Sequence, residues 1–206
     1  VGGGPAGMMA AYAAGSRGHG VTLLEKNTKL GKKLYLTGKG RCNITNAAPI
    51  EDFFDSVVTG GAFLYSAFYT LDNVALLELL GRFGLKTKTE RGGRVFPESD
   101  KASDVTRALT KAMDSVGVKV RLNTRAEGLL LENGRCAGVI VDGKPERYDA
   151  VILATGGLSY PSTGSTGDGY RFAMSAGHDI SPTSASLVGL DTVEDLSGLA
   201  GLTLKN

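Results

Sequence analysis

The chain begins with a glycine spacing that is typical of loops that bind a dinucleotide. Residues 2–7, GGGPAG, fit the pattern G-x-G-x-x-G, and the alanine-rich residues 5–18 predict a helix. In such a loop Gly2 makes the tight turn, Gly4 lets a pyrophosphate approach the backbone, and Gly7 allows the helix to pack closely on a strand. The start of the helix offers N–H groups and a partial positive charge to the phosphates.

A carboxylate follows at the position where a dinucleotide site needs one. Residues 21–25 predict a short buried strand that ends in Glu25. An acidic residue about 20 positions after the glycine loop accepts hydrogen bonds from a ribose, and it favours an unphosphorylated adenosine over a 2′-phosphate. The alternative is a glycine-rich turn with a surface glutamate. We interpret the loop and the carboxylate together as a dinucleotide site.

A basic segment comes next in the chain. Residues 26–41 contain no acidic side chain, and their basic residues are Lys26, Lys29, Lys32, Lys33, Lys39 and Arg41. The loop 38–43, GKGRCN, combines a flexible backbone with a guanidinium and an amide, which can donate hydrogen bonds to an anion or to ring carbonyls and nitrogens. A positive group near a flavin would stabilise its reduced anionic ring. A solvated basic face and a nucleic-acid patch, with only Tyr35 for stacking, are the alternatives.

The cysteines and histidines predict neither a metal site nor a redox pair. Cys42 and Cys136 lack a C-x-x-C spacing. A thiol beside Lys39 and Arg41 would have a lowered pKa, but we interpret Cys42 as a small buried residue in a tight loop. His19 and His178 are predicted to be surface turn residues at helix ends. No catalytic residue is identified, and none is needed where a cofactor carries the chemistry.

Composition and periodicity predict an α/β framework for these motifs. The chain has 206 residues, 42% hydrophobic and 21% charged, and a net charge of +2, which gives no global reason to bind nucleic acid. No apolar run approaches the roughly 20 residues of a membrane span. Helices are predicted at 30–36, at 76–83 after the cap Asp72, at 105–116 and at 167–177.

The predicted strands imply a mainly parallel sheet with helices on both sides and a small antiparallel layer. Residues 118–122 alternate as a strand does, and 150–154 are continuously apolar, which is typical of a strand covered on both faces. Asn133-Gly134, between apolar runs, predicts a hairpin turn. Residues 186–190 are predicted to be extended.

A second glycine cluster makes a family resemblance specific. The apolar run ends in Thr155-Gly156-Gly157, and a strand that ends in Ala-Thr-Gly resembles the signature of flavoproteins with an FAD domain of the glutathione-reductase type. The blocks 37–46 (TGKGRCNITN), 160–170 (YPSTGSTGDGY) and 186–188 (SLV) narrow the resemblance to the BaiN/YhiN-type, aminoacetone-oxidase-like NAD(P)/FAD-dependent oxidoreductases. The resemblance covers essentially the whole chain, and R-C-N-x-T-N is far more specific than the first glycine loop.

The resemblance implies a set of FAD-binding residues. The pyrophosphate would be contacted by Gly2, Gly4, Pro5, Ala6 and Gly7, and the adenosine ribose by Glu25 and Lys26. The flavin side would be contacted by Lys33, Gly40, Arg41, Cys42 and Asn43. The adenine would be contacted by Ala126, and the rest of the dinucleotide by Thr155, Gly156 and Gly157. No metal ligand is implied.

The resemblance also implies a fold and a division of the chain. The fold is α/β, an FAD-binding Rossmann-like domain of the glutathione-reductase type with a small antiparallel β layer. That domain would occupy residues 1–187, and 188–206 would start an inserted β-rich domain. The chain would lack most of the first strand and a closing segment, and we expect it to be inactive by itself.

The function implied is that of a cytoplasmic FAD-dependent oxidoreductase. The flavin would exchange a hydride or an electron pair with a small-molecule substrate. NAD(P)H would bind transiently as reductant, because no second G-x-G-x-x-G follows a strand. Two alternatives stay open: a non-catalytic dinucleotide-binding or sensing module, and a flavin-dependent protein that modifies nucleic acid. Steep salt dependence of RNA binding would indicate the latter.

Overall fold

The computed structural model describes residues 1–185, 193–199 and 201–202. The α-helices are α1 (Pro5–Gly15), α2 (Ile50–Asp55), α3 (Gly61–Thr70), α4 (Asn73–Arg82), α5 (Ala102–Ser115) and α6 (Asp168–Ser175). The strands are β1 (Thr22–Leu24), β2 (Thr45–Asn46), β3 (Thr87–Glu90), β4 (Arg94–Pro97), β5 (Lys119–Arg121), β6 (Ala126–Glu132), β7 (Arg135–Val141) and β8 (Lys144–Arg147). The predicted extended segment 186–190 and the predicted domain boundary at 187/188 lie outside the described residues.

A short parallel layer lies at the centre of the fold. Strand β1 pairs in parallel with β5, Leu23 opposite Val120. On its other side, the Gly2 N–H donates to the Leu24 carbonyl at 2.8 Å. Val1 in turn donates to the Ile152 carbonyl at 2.7 Å and accepts from the Ala154 N–H at 2.8 Å. The order is therefore 151–154, Val1, β1, β5.

The prediction of a doubly covered strand at 150–154 is wrong. These residues run alongside Val1 without forming a regular strand, and Ile152 is 54% exposed. Within the described residues Val1 supplies the two backbone hydrogen bonds of this segment. Two bonds do not make a ladder, and so the apolar run stays irregular and open on one side.

The two faces of β1 belong to two separate cores, because successive strand residues point to opposite faces. Leu23 lies in a core with Met8 of α1 and Leu109 of α5. Leu24 lies in the other core, with Val139 of β7 and Phe172 of α6. Helices were predicted on both sides, but the second face is covered by the antiparallel sheet β6-β7-β8 together with α6.

The predicted hairpin is confirmed. Asn133 and Gly134 both have left-handed backbone, with φ of 51° and 72°, as a type I′ turn between β6 and β7 requires. Asp142-Gly143 repeats that conformation, with φ of 49° and 68°, and leads into β8, which we did not predict. The dipeptide Asp-Gly carries the same turn signal and would have found that strand.

The predicted helices at 76–83 and 105–116 are confirmed as α4 and α5, and Asp72 caps α4 by accepting from the Ala75 N–H at 2.7 Å. The helix predicted at 30–36 is a 3₁₀ turn, Lys32–Tyr35. The sheet β2-β4-β3 and the helices α2 and α3 were not predicted.

One apolar stretch is longer than the sequence analysis allowed. Residues Gly61–Arg82 reach the length and the mean hydropathy, 1.2, of a membrane span. In the structure this stretch contains α3 and α4, which are separated by the extended Leu71 (φ −145°, ψ 90°) and the cap Asp72. Each helix has 10 residues. A span needs about 20 residues in one continuous helix.

Candidate cofactor-binding site

A cavity of about 280 Å³ opens at the carboxyl end of β1. Its walls come from the glycine loop, the end of β1, residues 124–126 after β5, residues 154–156 and residues 163–168. Ligands of open α/β sheets bind outside the carboxyl ends of the strands. The backbone of Glu25 holds two of these walls together, since its carbonyl accepts from the Thr124 N–H at 2.9 Å.

Two glycines of the first loop are required by contacts inside the protein. Gly2 has φ of 101°, and a Cβ there would lie 2.4 Å from the Ala154 carbonyl oxygen. A Cβ on Gly7 would lie 1.8 Å from the Gly2 carbonyl oxygen. These residues therefore let α1 and residues 154–155 pack directly against the loop.

Gly4 is different, because the protein itself does not require it to be a glycine. No protein atom lies within 4 Å of a Cβ built there, and the residue lines the cavity just before α1. Pro5 occupies the first turn of α1, where its missing N–H costs nothing. The absence of a side chain at position 4 therefore leaves the backbone of this wall open to close approach by a ligand.

Glu25 is 7% exposed and joins the glycine loop to the end of β1. Its Oε2 accepts from the Gly3 N–H at 2.6 Å, and its Oε1 accepts from both the backbone N–H and the side-chain amide of Asn27 at 2.7 Å. A carboxylate has about four lone-pair sites. Oε2 thus keeps acceptor capacity on the cavity wall, where a ribose hydroxyl can donate to it.

Two lysines on the wall have different electrostatic partners. Lys26 Nζ donates to Asp168 Oδ2 at 2.7 Å. Burial raises the pKa of Asp168, but the hydrogen bonds from Lys26 and Arg171 outweigh burial and hold that pKa at about 2. Lys33 Nζ donates at 2.6 Å to the uncharged Ser165 hydroxyl, and among the described residues it has no carboxylate partner. Its charge is therefore available to an anion in the cavity.

The structure brings most of the predicted site residues to this cavity: Gly2, Gly4, Pro5, Ala6, Glu25, Lys26, Lys33, Ala126, Thr155 and Gly156. Gly7 lies behind the wall, under Gly2, and Gly157 lies beside Tyr170. The predicted flavin-side residues Gly40, Arg41, Cys42 and Asn43 lie outside the cavity.

Arg41 is engaged elsewhere in the protein. Its guanidinium pairs with Glu90 at 2.8 Å and Asp100 at 3.3 Å, and lies 4.0 Å from the centroid of the Phe96 ring. Cys42 is buried, and burial raises the pKa of its thiol, in agreement with the structural interpretation of this residue. The described residues contain no cluster of three metal-ligating side chains.

Several wall residues were missed by the sequence analysis: Asn27, Lys32, Thr124, Arg125, Thr163, Gly164, Ser165, Asp168 and Phe172. Residues 124 and 125 follow β5, and the rule that ligands bind at the carboxyl ends of parallel strands would have found them. The block 160–170 carried the family resemblance but was not assigned to the site.

Comparison with known proteins identifies the family. The model of the HI0933-like protein Rossmann domain matches residues 1–199. The chain belongs to the HI0933-like family. This result confirms the family resemblance and the Rossmann-like fold of FAD-binding domains.

Two curated relatives of this HI0933-like chain have different names. It is 36% identical over 195 residues to the 3-dehydro-bile acid Δ(4,6)-reductase of Clostridium scindens, and the aligned region covers 92% of the chain and 46% of the relative. It is 29% identical over 209 residues to the ribosomal RNA dihydrouridine synthase of Escherichia coli, and the aligned region covers 99% of the chain and 51% of the relative. The chain thus spans about half the length of these relatives.

Solved structures show the same fold. Mycobacterium smegmatis Sdh1 superposes with a TM-score of 0.64 at 23% identity, over 85% of the HI0933-like chain and 37% of Sdh1. A flavocytochrome c3 fumarate reductase superposes with a TM-score of 0.62 at 24% identity, over 85% and 39% of the two chains.

Proposed function

We propose that the cavity holds the adenosine diphosphate half of FAD, and that the protein reduces a carbon–carbon double bond conjugated to a carbonyl group. The observation that carries the first part is the wall itself. A cavity-lining glycine whose Cβ would meet no protein atom stands before the start of α1, and an ammonium group without a carboxylate partner among the described residues lines the same cavity. Both features fit a pyrophosphate, which is anionic and needs close approach to the backbone.

Each part of the wall has a distinct role in this proposal. Gly4, Pro5 and Ala6 face the pyrophosphate, and Lys33 balances part of its charge. Glu25 accepts hydrogen bonds from the ribose, and Ala126 lies against the adenine, as Thr155 and Gly156 lie along the dinucleotide. FAD, when bound, supplies hydride transfer. The flavin-side role of residues 40–43 stays a prediction, as does the cytoplasmic location.

The names of the curated relatives support the substrate class. One is a Δ(4,6)-reductase of a 3-dehydro-bile acid, and the other makes dihydrouridine in ribosomal RNA. In both products, a double bond conjugated to a carbonyl group has gained two hydrogens. The same addition, a hydride to one carbon and a proton to the other, is proposed for this protein, with NAD(P)H as the source of the hydride.

A small molecule fits the surface better than RNA does. Of the basic residues in 26–41, Lys26 and Lys32 donate to residues 162–168, and Lys33 faces the cavity. Arg41 pairs with two carboxylates, and Lys29 lies over the Tyr35 ring at 4.1 Å. The segment is therefore largely engaged within the protein, whereas binding of RNA needs cations that reach phosphates.

The decisive experiment compares two glycines that tolerate a methyl group in the free protein. Gly4→Ala and the control Gly20→Ala both place a Cβ with no protein atom within 4 Å. We expect equal melting temperatures, and a loss of FAD affinity of at least about tenfold, or about 1.4 kcal/mol, for Gly4→Ala alone. Fluorescence titration with FAD measures the affinity. Equal affinities would overturn the proposed site.

The substrate class has its own test. Under anaerobic conditions, the NADPH-reduced flavoprotein should be reoxidised by α,β-unsaturated ketones and not by their saturated counterparts. Flavin that no reductant bleaches would instead favour the dinucleotide-sensing alternative. Reoxidation only by uridine-containing RNA would favour modification of nucleic acid.

A further inference from the structure

One wall of the cavity is a segment without a sheet partner among the described residues. Residues 160–168, here called the strap, contain one 3₁₀ turn, Pro161–Thr163, and lead into α6. Tyr160 at its start is 64% exposed, whereas Thr163, Ser165 and Asp168 are at most 9% exposed. These three buried polar residues line the cavity, whereas Ser162 and Thr166 are exposed.

Most of the hydrogen bonds that attach the strap to the rest of the site come from side chains of one short segment, residues 26–33. The donors and acceptors are Lys32 Nζ to the Ser162 carbonyl at 2.8 Å, Asn27 Nδ2 to the Thr163 carbonyl at 3.1 Å, Lys33 Nζ to Ser165 Oγ at 2.6 Å, and Lys26 Nζ to Thr166 Oγ1 at 2.9 Å and Asp168 Oδ2 at 2.7 Å. Outside that segment, Arg125 contacts Asp168 at 3.4 Å, and the Gly167 N–H donates to the Gly157 carbonyl at 3.3 Å. Such contacts break one by one more readily than a backbone ladder does.

A glycine allows the two segments to lie in direct contact. Gly164 has φ of 101°, and a Cβ there would lie 2.8 Å from Asn27 Nδ2 and 3.1 Å from Lys26 Cε. With left-handed backbone at Gly164, a larger residue there would be strained and would displace Asn27 and Lys26 or the strap. The close approach therefore depends on a glycine at position 164.

Lys26 and Lys33, which contact the inner end of the strap, have different hydrogen-bond partners. Lys33 binds a neutral hydroxyl, and an incoming phosphate can take its place. Lys26 binds a carboxylate that Arg125 and Arg171 also contact, at 3.4 and 3.3 Å. An anion in the cavity gains little by displacing Lys26 from Asp168. Lys26 is thus the fastener, and Lys33 is the phosphate-facing cation.

We infer that the strap is a gate on the dinucleotide cavity, fastened by Lys26, and that its opening sets how fast a dinucleotide enters and leaves. This inference rests on the proposed FAD site. The fastening itself is a property of the cofactor-free chain, and it can therefore be tested separately.

The first experiment measures the fastening without a cofactor. Amide hydrogen exchange of residues 163–167 should be at least about tenfold faster in Lys26→Gln than in the parent chain, because tenfold corresponds to the loss of about 1.4 kcal/mol. Lys29→Gln is the matched control, since the Lys29 ammonium lies over the Tyr35 ring in the same segment. Unchanged exchange in Lys26→Gln would overturn the inference.

A second pair of variants tests the strap without removing a charge. Gly164→Ala should loosen the same amides, whereas Gly177→Ala should not. Both glycines have positive φ, but only a Cβ on Gly164 meets other atoms within 4 Å. Equal exchange in the two variants would contradict the close approach described above.

The third experiment tests the gate. In stopped-flow mixing with FAD, Lys26→Gln should raise the association and dissociation rate constants together, each about fivefold, so that Kd changes less than either rate. Lys26→Arg should restore both rates. A rise in dissociation alone would overturn the gate, because a static wall would behave in that way. Loosened amides in a chain that does not bind FAD would overturn the proposed function and the gate, while the fastening would stand.

Discussion

The two glycine-rich loops, residues 2–7 and 38–43, were both predicted to contact a cofactor, but they are held by different forces. In the first loop, Gly2 and Gly7 meet backbone atoms of neighbouring elements, and the loop lines the cavity. In the second, Lys39 and Cys42 have left-handed backbone. Contacts from Arg41 to Glu90, Asp100 and the Phe96 ring tie this second loop to β3, β4 and the turn after β4.

This difference teaches how far a charged motif can be interpreted alone. The first loop depends on steric relations that its own spacing encodes. In the second loop, the guanidinium of Arg41 is paired with acids 49 and 59 residues further along the chain. A guanidinium that looks free in the sequence is therefore already paired in the fold.

The largest expected effect comes from Gly7→Ala. Its Cβ would lie 1.8 Å from the Gly2 carbonyl oxygen, so the loop and α1 must move apart. We expect a loss of about 3 kcal/mol in the free energy of unfolding, measured by urea denaturation, and loss of FAD binding. Gly81→Ala in α4 is the control, since its Cβ has no neighbour within 4 Å. An unchanged midpoint for Gly7→Ala would contradict steric control of the first loop.

Glu25→Gln should have the next largest effect. The amide has one acceptor oxygen, and it cannot satisfy the donors on both Oε1 and Oε2. Leaving a buried N–H unpaired costs about 1–3 kcal/mol, visible in thermal unfolding, and FAD affinity should fall as well. The exposed Glu78 gives the control Glu78→Gln. Equal melting temperatures for the two variants would indicate that Glu25 does not hold the loop.

Protonation of Asp168 at low pH should lower the free energy of unfolding. Its pKa in the folded protein is lowered to about 2 from 3.8, so its contribution to stability is present above about pH 4 and is lost as pH falls towards 2. The loss should approach about 2 kcal/mol. Denaturation of Asp168→Asn over this range should show a weaker dependence on pH. The same dependence in both proteins would exclude this carboxylate as its source.

Arg41→Gln should have the smallest effect. The ion pairs of Arg41 are partly exposed, and such pairs contribute little to stability. Because the loop lies outside the cavity, affinity for ADP should stay within about twofold of the parent value. Calorimetric titration with ADP measures it. A loss as large as that of Glu25→Gln would remove the distinction between the two loops.

The sequence analysis succeeded where local geometry is decisive. The glycine loop, the end of β1 at Glu25, the Asn133-Gly134 turn and the capped helix α4 all depend on residues close together in the chain. It failed for β4, which pairs with β2 about 50 residues earlier, because strand formation depends on partners more than on propensity. It failed at 150–154 for the same reason.

The sequence by itself determined the backbone of the site. The close backbone approaches at Gly2 and Gly7 permit only glycine, and an acidic residue at the end of β1 is visible from spacing alone. Only the tertiary structure decided which charges the cavity retains. Lys26 and Lys33 meet their partners across 142 and 132 residues of chain. Electrostatic interactions depend on distances in space, which spacing along a chain does not specify.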